Sequence, residues 1–219
     1  MMIDENNFCN SIYGEIQAKG ICGGYVRFSH KALEKNLGYI SKSAKLLEVG
    51  GNLGEHSKFV THKYESYLIT DKRLVSAKPI NKLVKFEVAN VENLPYQDES
   101  FDRVLSTCLL HHLDDPEKGL NEMRRVVKTG GLISLTLPCD PGLIYRIGKT
   151  VGPYRAMRRR FKQLSPKYLH YVQHRNHFVG LESKIDQVFK NDFVLSRNYP
   201  FFLPFWNVNL FRIYQIRKC

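Results

Sequence analysis

The sequence predicts an α/β fold: a doubly wound, mostly parallel seven-stranded sheet with helices on both faces and an antiparallel strand near the carboxyl end. Three observations lead there. From Ala44 onward, short apolar runs ("AKLLEV", "ESYLIT", "LVKFEV", "FDRVLSTCLL" and "GLISLTL") recur between polar and helical stretches. Runs of this length, bounded by Gly, Pro, Asn and Asp, read as buried parallel strands joined by crossovers. The first run ends in the glycine-rich turn "EVGGNLG", a device that sets backbone N–H groups and a positive helix end beside a ligand. Two further β-like runs, "DFVLSRNY" and "NVNLFRIYQI", close the chain.

In chain order, residues 1–43 are expected to form a helical cap, with helices from about Asn6 to Tyr39. In "YVRFSHKALEKNLGYI", Val26, Phe28, Leu33 and Leu37 share a helical face. Residues 44–140 form the sheet core. Its clearest helix is "DDPEKGLNEMRRVVKTGG": Asp114 or Asp115 is the N-cap and Pro116 takes the first helical position. Leu120, Met123, Val126 and Val127 make its apolar stripe, and Gly130-Gly131 stops it. Residues 141–192 read as a basic helical insertion, broken at Gly152-Pro153 and Ser165-Pro166, with an amphipathic helix near "GLESKIDQVFK". Residues 193–219 hold the last strands, separated by "PFFLPFWN", and the 219 residues fit one domain.

Hydrophobic residues at 43% and charged residues at 25% argue against a disordered or collagen-like chain. No apolar run approaches the ~18 residues of a membrane span. The start "MMIDENNFCN" carries acids where a signal peptide carries basic residues, so a cytoplasmic protein is expected. Cys9, Cys22, Cys108, Cys139 and Cys219 are scattered, without a Cys-x-x-Cys pair, which argues against a disulfide framework. The net charge of +12 is local: from Pro141 to Leu181 there are nine Lys and Arg and no acid, and the rest of the chain holds 24 basic and 21 acidic residues.

The glycine spacing separates two cofactor classes. A dinucleotide fingerprint needs Gly-x-Gly-x-x-Gly, but counting from Gly50 puts Asn52 and Glu55 at the second and third glycine positions. With Glu48 ahead of the turn and Gly at 50 and 54, "EVGGNLG" is instead similar to the first motif of class I S-adenosylmethionine-dependent methyltransferases. Farther on, "YLITDKR" ends a strand at Asp71, where a carboxylate can accept both hydroxyls of a ribose. The stretch from Val88 to Pro138 resembles the later motifs of the same family. It supplies the Leu94-Pro95-Tyr96 turn, the Ser100-Phe101-Asp102 strand entry, His111-His112-Leu113, and Arg125-Val126 leading to Gly130-Gly131.

The resemblance spans roughly residues 44 to 140 and looks like the branch that methylates quinones, sterols and natural products. It implies a Rossmann-like fold, S-adenosylmethionine as cofactor and a small-molecule acceptor. It also implies that Gly50, Gly51 and Gly54 let the backbone approach the methionine part, that Glu48 orients the amino group and that Asp71 holds the ribose. Asn90 and Val91 would meet the adenine, and Cys108, Leu109 and Leu110 would pack against adenine or core, with no chemistry assigned to Cys108. Two positions depart from the family pattern: Asn52 replaces a middle glycine, and Asn90 stands where an Asp is usual. Asn tolerates positive φ, and Asn90 keeps a carbonyl acceptor. The plainer alternatives are that Glu48 only holds turn amides and that Asp71 only caps a helix.

Methyl transfer from a sulfonium is an in-line displacement, so the protein supplies alignment and excludes water, with a base needed only when the acceptor arrives protonated. His111 and His112 follow the fourth strand, and "YLHYVQHRNHF" gathers Tyr168, His170, Tyr171, His174, Arg175 and His177. The candidate catalytic residues are His112, His174 and His177, with Arg175 lining the acceptor pocket; a solvated helix is the alternative. With no carboxylate or cysteine in that segment, no metal is expected. In "GGYVRFSHKAL", Tyr25, Arg27 and His30 can close over the cofactor, Arg27 by pairing with its carboxylate, or can simply pack.

The basic segment suits a nucleic acid, a membrane surface or a phosphorylated small molecule, or is a solvated face. No nucleic-acid module is evident. The expected acceptor is a small molecule, anionic or delivered on a lipid or nucleotide carrier, such as a sugar or lipid intermediate, with peripheral membrane contact possible. The competing readings are a non-catalytic binding protein of the same fold, motivated by Asn52 and Asn90, and a nucleic-acid methyltransferase using the basic segment.

Overall fold

Seven strands form one sheet in the order β3-β2-β1-β4-β5-β7-β6, in a computed structural model that describes residues 20–73, 77–160 and 165–219. The strands are β1 (Lys45–Val49), β2 (Ser66–Asp71), β3 (Val84–Val88), β4 (Phe101–Thr107), β5 (Val127–Pro138), β6 (Phe193–Tyr199) and β7 (Phe211–Arg217). The helices are α1 (Gly20–Leu33), α2 (Pro116–Val126), α3 (Leu143–Val151), α4 (Pro153–Arg160), α5 (Pro166–Gln173) and α6 (Phe178–Val188). β7 alone runs opposite to the other six strands, pairing antiparallel with β5 and β6, as expected. The expected helical stretch before Gly20 lies outside the described residues.

Strand alternation divides the core into two layers. Leu47, Val49, Val104, Ile133 and Leu135 face α2 and α6, where they meet Leu120, Met123, Leu181 and Ile185. Leu46, Tyr67, Ile69 and Leu105 face the other way, and on that side Ala32 and Leu33 of α1 pack with Tyr199, Phe211 and Ile213. Asp115 caps α2, accepting from Lys118 N–H at 3.1 Å, with Pro116 at the first turn.

Three boundaries differ from the sequence reading. The α2 helix stops at Val126, not at Gly130-Gly131, because Val127 already pairs with Phe101 and the next pair is Arg103 with Leu132. Residues 128–131 therefore bulge out of the ladder, and Gly130 takes φ 73°. The β4 strand ends at Thr107 because Cys108 turns to φ 56°, after which Leu110–His112 form a 3-10 turn. Between β1 and β2 the expected crossover helix is reduced to one 3-10 turn, Glu55–Lys58.

A buried polar layer lies on the α1 side of the sheet. Arg103 is fully buried and donates through Nη2 to Glu34 Oε1 (2.8 Å) and through Nε to Ser134 Oγ (3.1 Å), and its Nη1 lies 3.0 Å from His62 Nε2. His56 Nε2–H donates to the same Glu34 oxygen at 3.0 Å. With that tautomer fixed, His30 Nδ1–H donates to His56 Nδ1 at 2.8 Å. Burial alone would raise the Glu34 pKa, but His56 and Arg103 overcome it and hold it at about 2.

Arg103→Met should therefore destabilise the fold by about 3–5 kcal/mol, because Glu34 is left as a buried charge without its partner. Adding Glu34→Gln to that variant should cost less than the sum of the two single changes in urea unfolding followed by circular dichroism; additive losses would show that the pair is not coupled.

Candidate active site

The carboxyl ends of β1 and β4 meet where the strand order reverses, the place at which open α/β sheets hold their ligands. The glycine turn after β1 has φ 66° at Gly50, 47° at Asn52 and 73° at Gly54. Gly51 N–H donates to Thr70 O at 2.9 Å, which ties the turn to β2. A Cβ at Gly51 would lie 2.4 Å from Ile69 Cγ2, and one at Gly50 would lie 2.6 Å from Leu109 Cδ1. Leu109 thus leans on the turn from the end of β4. Asn52 makes the turn that the sequence required of it, and its buried Oδ1 has no hydrogen-bond partner.

Asp71 ends β2, nearly buried, with Oδ1 accepting from Arg73 N–H (3.0 Å) and Nε (3.1 Å). Asn90 is exposed beyond β3 and its Oδ1 accepts from Glu92 N–H at 3.1 Å, while Val91 is core. The Cys108 thiol is pushed up to about 11 by burial, in keeping with a packing role. An orphaned carbonyl at Asn52, a carboxylate at Asp71 and an amide at Asn90 follow three adjacent strands, and this donor and acceptor set fits a nucleoside with a polar tail.

Glu48 takes a different place. Its carboxyl is buried beneath the turn, on the α1 side, and Oε2 accepts the Tyr67 hydroxyl at 2.5 Å. Burial pushes its pKa up to about 8. It supports the turn from below, close enough that a Cβ on Gly51 would lie 3.0 Å from its Cδ. Of the α1 residues, Tyr25 stacks edge-on against Phe211 at 5.6 Å, Arg27 is exposed, and His30 is buried against His56. Tyr25 thus sits against β7 rather than over the glycine turn.

The insertion after β5 folds across the same end of the sheet. It brings His170 and His174 of the α5 region onto His111 and His112, with ring centroids 3.8 Å apart for His170–His174 and 4.1 Å for His111–His174. Asp140, just after β5, joins them: its Oδ2 accepts from His174 Nδ1–H at 2.8 Å and lies 2.9 Å from His170 Nε2. Burial works against the Asp140 charge, but the two histidines hold its carboxyl well below the usual range. Burial also lowers His174, to about 3, and takes His111 well below its ordinary value.

Asp140 was missed by the sequence reading, since an aspartate 34 residues from its histidine carries no local signal. His177 does not join the cluster. It is exposed at the N-cap of α6, where its carbonyl accepts from Leu181 N–H, and its side chain makes no hydrogen bond or ring contact among the described residues. Arg175 pairs with Asp114 at the surface.

The fold and this turn define an α/β domain that holds its ligand at the sheet's switch point. Comparison with known proteins narrows the class: residues 47–135 match the family described as a methyltransferase domain. Ajmaline N-methyltransferase of Rauvolfia serpentina is 31% identical over 102 residues, covering 42% of this chain and 35% of that protein. Demethylmenaquinone methyltransferase of Desulfitobacterium hafniense is 31% identical over 100 residues, 44% of this chain and 40% of the relative. The chain thus spans well under half the length of these relatives. Among solved structures, the CurJ carbon methyltransferase aligns over 99% of this chain and 62% of its own, with TM-score 0.65 at 12% identity. Haemonchus contortus phosphoethanolamine N-methyltransferase 2 aligns over 99% of this chain and 60% of its own, with TM-score 0.62 at 14% identity. These two likenesses concern the fold.

The buried groups set a pH window. Glu48, raised from 4.5 to about 8 in the fold, stays protonated while its unfolded counterpart ionises, so its contribution is lost as pH rises from 4.5 through 8. His30 and His174, lowered from 6.5 to about 3, stay neutral while unfolded histidines protonate, so theirs is lost as pH falls below 6.5. Thermal melts should peak near pH 6.5 and decline on both sides. In Glu48→Gln the alkaline decline between pH 6.5 and 8 should flatten, by on the order of 2 kcal/mol; an unchanged alkaline limb would show that Glu48 is ionised in the fold.

Proposed function

We propose that the chain is an S-adenosylmethionine-dependent methyltransferase acting on a small acceptor. The observation that carries this reading is the set Gly50, Gly51, Asn52, Gly54, Asp71 and Asn90 at the ends of β1, β2 and β3, within the segment that matches the methyltransferase domain. The glycine turn would hold the methionine part, Asp71 the ribose and Asn90 the adenine amino group. When bound, the cofactor supplies an electrophilic methyl group on a sulfonium. The chain's own residues align the acceptor, exclude water and remove its proton where one is present. That proton leaves at the His111, His112 and His174 cluster, with Asp140 fixing His174 through its Nδ1–H.

The acceptor reading is a small molecule that is anionic or carried on a lipid. Leu143, Ile147 and Val151 form an exposed stripe along α3, and Phe201, Phe202, Leu203 and Phe205 are exposed in the loop beside it. Gly142 and Leu143, at the start of α3, touch Asn207 of that same region. Arg146 and Lys149 of the acid-free segment lie on the same helix, a combination that favours an anionic amphiphile over a fully polar acceptor.

Calorimetric titration should show micromolar binding of S-adenosylmethionine and S-adenosylhomocysteine, none of NAD, and at least tenfold weaker binding in Asp71→Ala. Absence of binding would favour the non-catalytic reading. With an acceptor in hand, Asp140→Asn should lower turnover by roughly 10- to 100-fold while leaving cofactor affinity intact; unchanged turnover would remove the cluster from the chemistry.

A further inference from the structure

We propose that His111, His112 and His174 form a binding site for one borderline divalent cation of the zinc class, with Asp140 as its outer carboxylate. A ring nitrogen from each of the three histidines lies within 4.8 Å of the others. The hydrogen bonds around them fix which nitrogens are free. His174 Nδ1 lies 2.8 Å from the Asp140 carboxylate, and His112 Nδ1 lies 2.9 Å from the Gln173 carbonyl. Both partners only accept, so both Nδ1 atoms carry the proton and both Nε2 atoms present lone pairs. His111, buried, has an Nδ1 without any hydrogen-bond partner. An imidazole whose other nitrogen donates to a carboxylate or a backbone carbonyl is the usual form of a metal-ligating histidine.

A second trio, Asp140, His170 and His174, also lies within ligand distance. There the three groups are already joined by hydrogen bonds of 2.8 and 2.9 Å through Asp140 Oδ2. Among the described residues no hydrogen bond links His111, His112 and His174 to one another, so a cation there displaces no partner.

Three neutral nitrogen donors select zinc, cobalt or nickel over magnesium or calcium, which take oxygen ligands. A tetrahedral site with metal–nitrogen bonds of about 2.0–2.1 Å needs ligand nitrogens about 3.3 Å apart, so side-chain rotations of a fraction of the cluster's width close it. His112 is exposed while its two partners are buried, so the fourth coordination position is reached from the His112 side. The role assigned to the cation rests on the methyltransferase reading: with the cation bound, the acceptor's heteroatom takes the open position and releases its proton to water there, in place of direct transfer to an imidazole of the cluster.

The test uses tag-free protein, stripped with chelator and titrated with zinc and with cobalt, in parallel with S-adenosylhomocysteine. One equivalent of metal should bind with micromolar or tighter affinity, and cobalt should show the visible spectrum of a tetrahedral nitrogen site. His112→Ala, at an exposed position, should weaken metal binding at least tenfold, and Asp140→Asn should weaken it by about 10- to 100-fold. Cys219→Ser, which removes an exposed thiol, should keep the full equivalent. Metal binding that is absent, or unchanged in His112→Ala, overturns the site even if S-adenosylhomocysteine binds normally. Stoichiometric metal without S-adenosylhomocysteine binding keeps the metal site and removes its role in acceptor activation.

Discussion

The buried ion pair between Arg103 and Glu34 is the constraint on which the arrangement of this molecule depends. The chain between β1 and β2 makes only one 3-10 turn in place of a full crossover helix. That would leave the sheet uncovered below the glycine turn. The α1 helix fills the gap, and Glu34, just past its end, receives Arg103 from β4, His56 from the 3-10 turn and the Thr61 N–H. One carboxylate therefore joins three separate parts of the chain. Such a pair gives modest net stability and strong geometric definition, because every alternative placement strands a charge.

The ligand end of the sheet is built in the opposite way. The turn after β1 is held by backbone bonds and by glycines whose Cβ positions are occupied by Ile69, Leu109 and Phe86, so it is rigid without any charged anchor. Glu48 sits below it as a protonated support. Around it, the insertion after β5 adds histidines and Asp140 to what the core supplies from β4. The core thus supplies a rigid turn at the sheet's switch point, whereas the cap supplies the polar side chains that gather beside it.

Much of this was legible in the sequence, and the exceptions share a cause. The strands, the capped α2 helix and the glycine turn are local patterns, and each appears where its residues predicted. Asn52 adopts the positive φ that its position demanded. What stayed hidden depends on long-range pairing: α2 ends early because Val127 pairs with Phe101, and Arg103 reads as an ordinary polar strand position until Glu34 is brought to it. His174 was singled out by its neighbours in sequence, but its partner Asp140 and its stacking on His111 arise only from the way the cap folds back. His177, three residues later, faces solvent for the same reason.

The hinge of the cap is fastened to the site by its own backbone. Arg175 N–H donates to His111 O at 2.9 Å, Phe178 N–H to Asp140 O at 2.9 Å, and Asn176 Nδ2 to Leu113 O at 2.7 Å. The first two carbonyls belong to residues whose side chains meet His174. A cap that swings outward must release these bonds together with the histidine cluster, so the seat of the cap and the packing of the cluster stand or fall as one unit.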